Sequence, residues 1–135
     1  QKALETLRMG ENCDAIIVDI HAETGSEKRC LGAIWDGKAS LVTGSHTHIP
    51  TADTMIMPAG TGYQTDAGMC GTYDNSSLGM SLDVGIARFT KKGKHKLSTA
   101  TGEGTLCGTF VKLNAKGLCE EIRPIRVGGI LSQAV

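Results

Sequence analysis

The sequence predicts an α/β fold built on a strand–helix–strand unit. A short, continuous apolar run at residues 15–18 is typical of a strand buried on both faces of a parallel sheet. A capping box follows at residues 24–27, where a threonine stands three positions before a glutamate, and it predicts the start of a helix. A second strand at residues 39–43 completes the unit within about 30 residues, the usual length of a βαβ motif.

The helix of this unit is predicted to end at Asp36-Gly37, since glycine commonly follows the last turn of a helix. Apolar side chains at helical spacing predict the face that packs on the sheet. They are Cys30, Leu31, Ile34 and Trp35. Because βαβ crossovers are almost always right-handed, the two strands are expected to run parallel.

The rest of the chain is predicted from its periodicity and its turn residues. Helical spacing is present at residues 1–9 and 82–89, a short strand fits residues 54–57, and alternation predicts a β-hairpin at residues 106–113 and 118–127. Residues 59–79 are rich in glycine and predict a long loop, which in a compact domain is usually functional or mobile. One domain, or one half of a larger domain, accounts for these elements.

The charge balance argues against two classes of partner. Lys plus Arg and Asp plus Glu each number 14, so the formal net charge is zero. This argues against an extended nucleic-acid surface and against electrostatic binding to an anionic membrane. No apolar run approaches the roughly 20 residues that a membrane-spanning helix needs, and no signal peptide is visible.

The cysteines predict a reducing compartment. The chain has five of them, an odd number, and none is in a Cys-x-x-Cys motif. A disulfide framework or a zinc ribbon is therefore disfavoured, and reduced thiols in a cytoplasmic protein are expected. Cys70, in the glycine-rich loop, is the one thiol to test for reactivity.

Three histidines follow the two strands of the predicted unit. His21 follows the first strand, and His46 and His48 follow the second. The carboxyl ends of neighbouring parallel strands lie about 5 Å apart at one sheet edge, where α/β folds usually bind their ligands. In extended backbone, His46 and His48 would project to the same side. Since neutral imidazole is a common metal ligand, His21, His46 and His48 are the candidate metal ligands.

Other polar residues have simpler interpretations. His95 lies among lysines and is expected in a solvated basic turn. Four carboxylates stand near strand ends or glycine-rich turns, where they could orient an imidazole, although capping or solvation is favoured. They are Asp19, Glu23, Asp53 and Asp66. No general acid or base is singled out. The N-terminus of the helix near Thr24 is a candidate anion site.

Several segments together resemble a bacterial family of calcineurin-like metallophosphoesterases, the one that contains 2',3'-cyclic-nucleotide 2'-phosphodiesterases. The matching segments are residues 18–28 (VDIHAETGSEK), 44–53 (GSHTHIPTAD), 62–71 (GYQTDAGMCG), 100–103 (ATGE) and the final hairpin. Ser45 and Gly25 stand where threonine is more common in the family. These segments spread over almost the whole chain.

The resemblance implies a fold, a metal centre and a reaction. The fold is a four-layer α/β/β/α sandwich, of which this chain is the C-terminal half. The centre holds two divalent or trivalent metal ions, iron or manganese, with zinc or magnesium as alternatives. By position, His21 and His46 would bind one ion and His48 the other. The reaction is hydrolysis of cyclic nucleotides or related phosphate esters.

The chain departs from the family at its start. The family's first strand with its metal-binding aspartate, the bridging acidic residue and the Gly-Asn-His segment have no counterpart here. Residues 1–135 are therefore expected to be the C-terminal part of one metallophosphoesterase domain, inactive alone. The expected partners are the N-terminal half of the same protein and a small phosphate ester, and a homo-oligomer is left open.

Two alternatives belong to other functional classes. One is a non-catalytic regulatory or interaction module that keeps the phosphoesterase fold and uses the glycine-rich loop at residues 59–79 as a partner surface. The other is a single-zinc domain complete in itself, in which three histidines leave one coordination position open. Acidic metal ligands upstream of Gln1 would favour the phosphodiesterase over both.

Overall fold

The computed structural model describes residues 6–93 and 95–135, and the chain divides into two compact units. The first unit takes the chain up to Gly68 together with Gly108–Pro124, and the second takes Met69–Cys107 and Ile125–Val135. Both helices and strands are present, so the predicted α/β class is confirmed. The assignment of residues 1–135 to a single domain stays a prediction.

The first unit contains a four-stranded sheet in the order β1-β2-β4-β3. The strands are β1 (Ile17–His21), β2 (Leu41–Ser45), β3 (Met55–Ile56) and β4 (Gly62–Gln64). Strands β1 and β2 are parallel neighbours, β2 and β4 are parallel, and β3 is antiparallel to β4. The predicted strand–helix–strand unit is confirmed, with its two strands side by side.

Helix α1 (Gly25–Trp35) connects β1 to β2. Its N-cap is Thr24, whose hydroxyl oxygen accepts the backbone N–H of Glu27 at 3.4 Å and donates to a carboxylate oxygen of Glu27 at 2.6 Å. The predicted helix start is confirmed. The cap satisfies one of the N–H groups that have no partner within the helix.

The buried face of α1 differs from the prediction. Lys28 and Gly32, four residues apart, are its buried residues. Of the predicted face, Trp35 is partly buried and packs against the core, whereas Cys30, Leu31 and Ile34 are exposed. The reason is close packing: a Cβ on Gly32 would lie 2.7 Å from the ring of Tyr63. The side of the helix that carries Lys28 and Gly32 therefore lies against the sheet.

Strand β1 is buried on one face only, so the expectation of burial on both faces is wrong for the described part of the chain. Ile16 and Ile20 are buried, while Ile17 between them is 66% exposed. Side chains alternate between the two faces of a strand. His21, at the end of β1, is therefore on the exposed face with Asp19.

The glycine-rich segment at residues 59–79 is not one long loop. It contains β4, whose three residues Gly62, Tyr63 and Gln64 are all buried. Tyr63 belongs to the core cluster of buried apolar side chains, which consists of Ile16, Ile20, Ala39, Val42, Met57 and Tyr63. A three-residue strand is too short to give a periodic signal, which is why the sequence pattern missed it.

Three of the remaining elements follow the prediction: α2 (Leu82–Phe89), β7 (Leu106–Leu113) and β8 (Cys119–Val127). Two short strands, β5 (Ser76–Ser77) and β6 (Met80–Ser81), were not predicted. Strands β7 and β8 form a two-stranded sheet. The helix predicted at residues 1–9 falls mostly outside the described residues. Among the helices that are described, none is long and apolar enough to cross a membrane.

Candidate metal centre

The parallel pairing of β1 and β2 brings the candidate ligands together. In the register of this pair His21 lies opposite Ser45, and His46 is the next residue along the chain. Parallel strands end at the same edge of their sheet. The strand ends thus place the first two candidate histidines side by side, as the sequence predicted.

His21 and His46 are in direct contact. The Nε2 atom of His21 lies 2.9 Å from the Nδ1 atom of His46. The two rings are almost perpendicular, at 88°, with their centroids 4.7 Å apart. These two nitrogens, called here the inner nitrogens, face one another at the sheet edge.

The other nitrogen of each ring is held by a carboxylate, directly or through a hydroxyl. His46 Nε2 donates to Glu23 Oε2 at 2.6 Å. His21 Nδ1 lies 3.1 Å from the Ser45 hydroxyl, which itself donates to Asp19 Oδ1 at 3.0 Å. A carboxylate–histidine pair of this kind fixes ring orientation and tautomer in metal sites.

These outer hydrogen bonds determine where the lone pairs are. Ser45 has one hydroxyl hydrogen and gives it to Asp19, so it accepts from His21 Nδ1–H. His46 gives its Nε2 hydrogen to Glu23. In two neutral rings, both inner nitrogens then present lone pairs to each other. Lone pairs that face each other repel unless a proton or a metal ion binds them, so the donor set is compatible with a metal ion.

The distance between the inner nitrogens is compatible with a shared ion. Imidazole nitrogens bind metal ions at about 2.0–2.1 Å, so two of them on one ion are about 2.9 Å apart at a right angle and about 3.3 Å apart in a tetrahedral shell. The observed separation of 2.9 Å equals the right-angle value, and it is also the length of an ordinary hydrogen bond between two nitrogens.

His46 and His48 occupy an unusual backbone conformation. Their φ angles are +107° and +65°, in the region that residues other than glycine rarely adopt. The expectation of extended backbone here is therefore wrong, and strand alternation no longer requires both side chains to project to one side. Strained residues of this kind persist where the surrounding structure holds them, often at functional sites.

His48 is exposed. Within the described ranges, no three His, Cys, Asp or Glu side chains come together in a metal-binding group. His21 and His46 are thus a pair, and the assignment of His21, His46 and His48 as metal ligands stays a prediction. His95 is also exposed, and its Nε2 lies 2.6 Å from the Lys92 carbonyl, as expected in a turn.

A buried ion pair beside the histidines was not predicted. Lys28 Nζ lies 2.8 Å from Asp66 Oδ2, and both side chains are almost completely buried. Burial alone would raise the pKa of Asp66, but hydrogen bonds from Lys28, Gly68 and Thr47 outweigh it and hold that pKa below its ordinary value. Lysine is rarely buried, so no pattern in the sequence marked this pair.

Each of the four carboxylates now has a partner. Asp66 caps backbone N–H groups but is buried, so solvation is the wrong interpretation for it. Asp53 accepts the backbone N–H and the hydroxyl of Thr65. Burial would raise the pKa of Asp53, and hydrogen bonds from Thr51 and Thr65 lower it below its ordinary value. Glu23 is bonded to His46 directly, and Asp19 is bonded to the Ser45 hydroxyl that contacts His21.

Comparison with known proteins gives a consistent result. The chain is 46% identical over 99 residues to the 2',3'-cyclic-nucleotide 2'-phosphodiesterase of Bacillus subtilis strain 168, covering 73% of this chain and 37% of that protein. A crystal structure of a hypothetical protein from Thermus thermophilus matches with a TM-score of 0.83 and 36% identity, over 96% of this chain and 49% of that one. A crystal structure of a novel phosphatase from Mycoplasma pneumoniae matches with a TM-score of 0.82 and 34% identity, over 94% and 46%.

The chain spans less than half the length of these relatives. The family model described as YmdB-like protein matches residues 1–125. This match covers most of the chain and confirms the family resemblance in its sequence. The chain belongs to the YmdB-like protein family.

Proposed function

We propose that the complete protein containing this chain is a metal-dependent phosphodiesterase acting on cyclic nucleotides or related phosphate esters. The observation that carries the proposal is the approach of His21 Nε2 to His46 Nδ1 at 2.9 Å, with both outer nitrogens held by hydrogen bonds. The names of the Bacillus and Mycoplasma relatives support the same chemistry.

In this proposal, His21 and His46 hold one metal ion through their inner nitrogens and His48 holds a second. Iron or manganese is favoured, with zinc or magnesium as alternatives. When bound, the ions would supply Lewis acidity toward the phosphate and lower the pKa of the attacking water. Glu23, and Asp19 acting through Ser45, keep the imidazoles in the tautomer that offers lone pairs to the centre.

The first turn of α1 has a role in binding the substrate. It begins at Gly25, four residues after His21, and the N-terminus of a helix favours anions through its free N–H groups. The phosphate of a small ester would lie between this turn and the histidines. The sheet edge then combines cation-binding and anion-binding groups, which suits phosphate ester hydrolysis.

The proposal extends to the whole protein. The N-terminal half would supply the acidic residue that bridges the two ions and complete a four-layer α/β/β/α sandwich. The protein would work in the cytoplasm as a soluble enzyme, alone or as a homo-oligomer.

The test is hydrolysis of a chromogenic phosphodiester and of 2',3'-cyclic nucleotides by the complete protein, with added manganese or iron. His46→Ala is expected to lower kcat/KM at least about 100-fold. His95→Ala is the matched control, because His95 is an exposed turn residue. Equal activity of His46→Ala and His95→Ala would refute the proposal. A wild-type protein with no metal-dependent hydrolysis would instead favour the non-catalytic module.

A further inference from the structure

The ion pair of Lys28 and Asp66 is the most deeply buried charged feature described in the first unit. The side chains of Lys28 and Asp66 are 0% and 1% exposed, and their charged atoms are 2.8 Å apart. Removing two charges from water is costly, and apolar residues of similar size usually stabilise a fold as well or better. A buried pair at this position therefore points to a requirement other than stability.

Asp66 is bonded to the loop that carries His46 and His48. Its Oδ2 atom accepts the backbone N–H of Thr47 at 3.0 Å, in addition to Lys28 Nζ. Thr47 stands between the two histidines, which both have positive φ angles. A single carboxylate oxygen thus joins the buried lysine to the strained backbone between the two candidate ligands.

Further hydrogen bonds of Asp66 hold the other end of the same loop. Its Oδ1 atom accepts the backbone N–H of Gly68 at 3.0 Å. Its backbone N–H donates to the Thr51 hydroxyl at 2.9 Å, and its carbonyl accepts the Thr51 N–H at 3.0 Å. Both ends of the segment from Thr47 to Thr51 are therefore tied to Asp66.

Lys28 is held in place from the opposite side. Its stem passes over Gly44, where a Cβ would lie 2.6 Å from Lys28 Cδ and would also overlap the Thr65 carbonyl oxygen. The Gly44 carbonyl accepts the Ala67 N–H at 2.9 Å. Glycine at position 44 leaves the space through which the lysine of α1 reaches Asp66, directly before the histidine loop.

We propose that Lys28 and Asp66 are positioning residues of the metal centre. Their ion pair fixes the Thr47 backbone, and through it the orientation of His46 and His48. This inference rests on the proposed function, because positioning matters only if these histidines bind metal. Neither residue touches the metal or the substrate in this account.

The test uses the complete protein and a neutral replacement of the pair, Lys28→Met/Asp66→Asn. This double variant leaves no unpaired buried charge. Thr47 and Gly68 donate to different oxygens of the carboxylate, so in asparagine one of these two N–H groups faces an NH₂ group, which cannot accept it. Lys28→Gln is the harsher single variant, since it shortens the side chain and leaves the buried Asp66 carboxylate without its charged partner.

The matched control is Thr61→Val. Thr61 is fully buried and its hydroxyl donates to the Ala39 carbonyl at 2.7 Å, so its loss also removes a buried interaction of the first unit. Circular dichroism and thermal unfolding establish that each variant is folded. Titration with Co²⁺ then gives the metal affinity and the visible spectrum, which reports ligand geometry independently of stability.

The double variant is expected to bind Co²⁺ about 10–100-fold more weakly than wild type, with an altered spectrum and a lower kcat, and Lys28→Gln is expected to shift in the same direction. Thr61→Val is expected to keep the wild-type affinity and spectrum. Wild-type affinity and spectrum in either folded Lys28 variant would overturn the positioning role while leaving the phosphodiesterase proposal intact. A wild-type protein that neither binds metal nor hydrolyses phosphodiesters would overturn both.

Discussion

Glu23 Oε2 lies 2.6 Å from His46 Nε2, on the side of the imidazole ring away from His21. This contact decides which nitrogen of His46 is available to a metal ion. A carboxylate accepts hydrogen bonds only, so in the neutral ring Nε2 carries the hydrogen and Nδ1 presents its lone pair. A carboxylate partner of this kind also holds the ring in a fixed orientation toward a metal ion.

Glu23→Gln tests this contact. The glutamine can keep a hydrogen bond to His46 but brings no negative charge, and its NH₂ group can turn toward the ring and favour the wrong tautomer. Metal affinity of the complete protein is expected to fall about 10–100-fold. Isothermal titration with Mn²⁺ measures it.

The control for Glu23→Gln is Glu120→Gln. Glu120 is exposed and lies 3.5 Å from Lys112, so this substitution likewise removes a surface carboxylate that has a charged partner. The control is expected to keep wild-type affinity. Equal affinities for the two variants would mean that the Glu23 carboxylate does not orient His46.

Gly32→Ala tests the contact between α1 and the sheet. The new Cβ would lie 2.7 Å from the Tyr63 ring, and Tyr63 is fully buried and cannot move aside freely. The free energy of unfolding is expected to fall by about 1–3 kcal/mol, the usual cost of overpacking. Urea unfolding followed by circular dichroism measures it.

Gly108→Ala is the matched substitution in open space, since a Cβ added there would have no atom within 4 Å. It is expected to be neutral or to stabilise the protein by up to about 1 kcal/mol, because alanine restricts the unfolded chain. A Gly32→Ala variant as stable as Gly108→Ala would contradict the packing described for α1.

The pKa of Asp66 predicts how the free energy of unfolding depends on pH. That pKa lies below its ordinary value of 3.8, so near pH 4 the unfolded chain binds more protons than the folded chain. The stabilisation by this carboxylate is present above pH 4 and is lost as the pH falls through the folded pKa. Urea unfolding between pH 3 and pH 6 measures the slope, which is expected to be steeper for wild type than for Lys28→Met/Asp66→Asn. Equal slopes would show that Asp66 has no depressed pKa in the folded protein.

The sequence was sufficient for the elements that have strong local signals. The capping box at Thr24 marked the start of α1, and the two apolar runs marked the parallel strands β1 and β2. Strand β4 was missed because three residues give no periodicity. The buried face of α1 was predicted wrongly because close approach selects small residues such as Gly32, whereas hydrophobic patterning selects large ones.

The candidate site also has features that the sequence predicts and features that it does not. The pairing of His21 with His46 could be predicted, since strand ends meet at one sheet edge. The positive φ angles of His46 and His48 were not predictable, and the Thr47 N–H between them is bonded to Asp66, which lies farther along the chain. The buried Lys28 was not predictable either, because its partner is 38 residues away and burial of lysine opposes its general preference.

The most direct test of the account is the metal content of the purified complete protein, measured by inductively coupled plasma mass spectrometry. The wild-type protein and His95→Ala are expected to hold two ions per chain. His21→Ala/His46→Ala is expected to lose one of them, because those two imidazoles share an ion in this account. Wild-type metal content in the double variant would contradict the central claim that the facing nitrogens of His21 and His46 form a metal site.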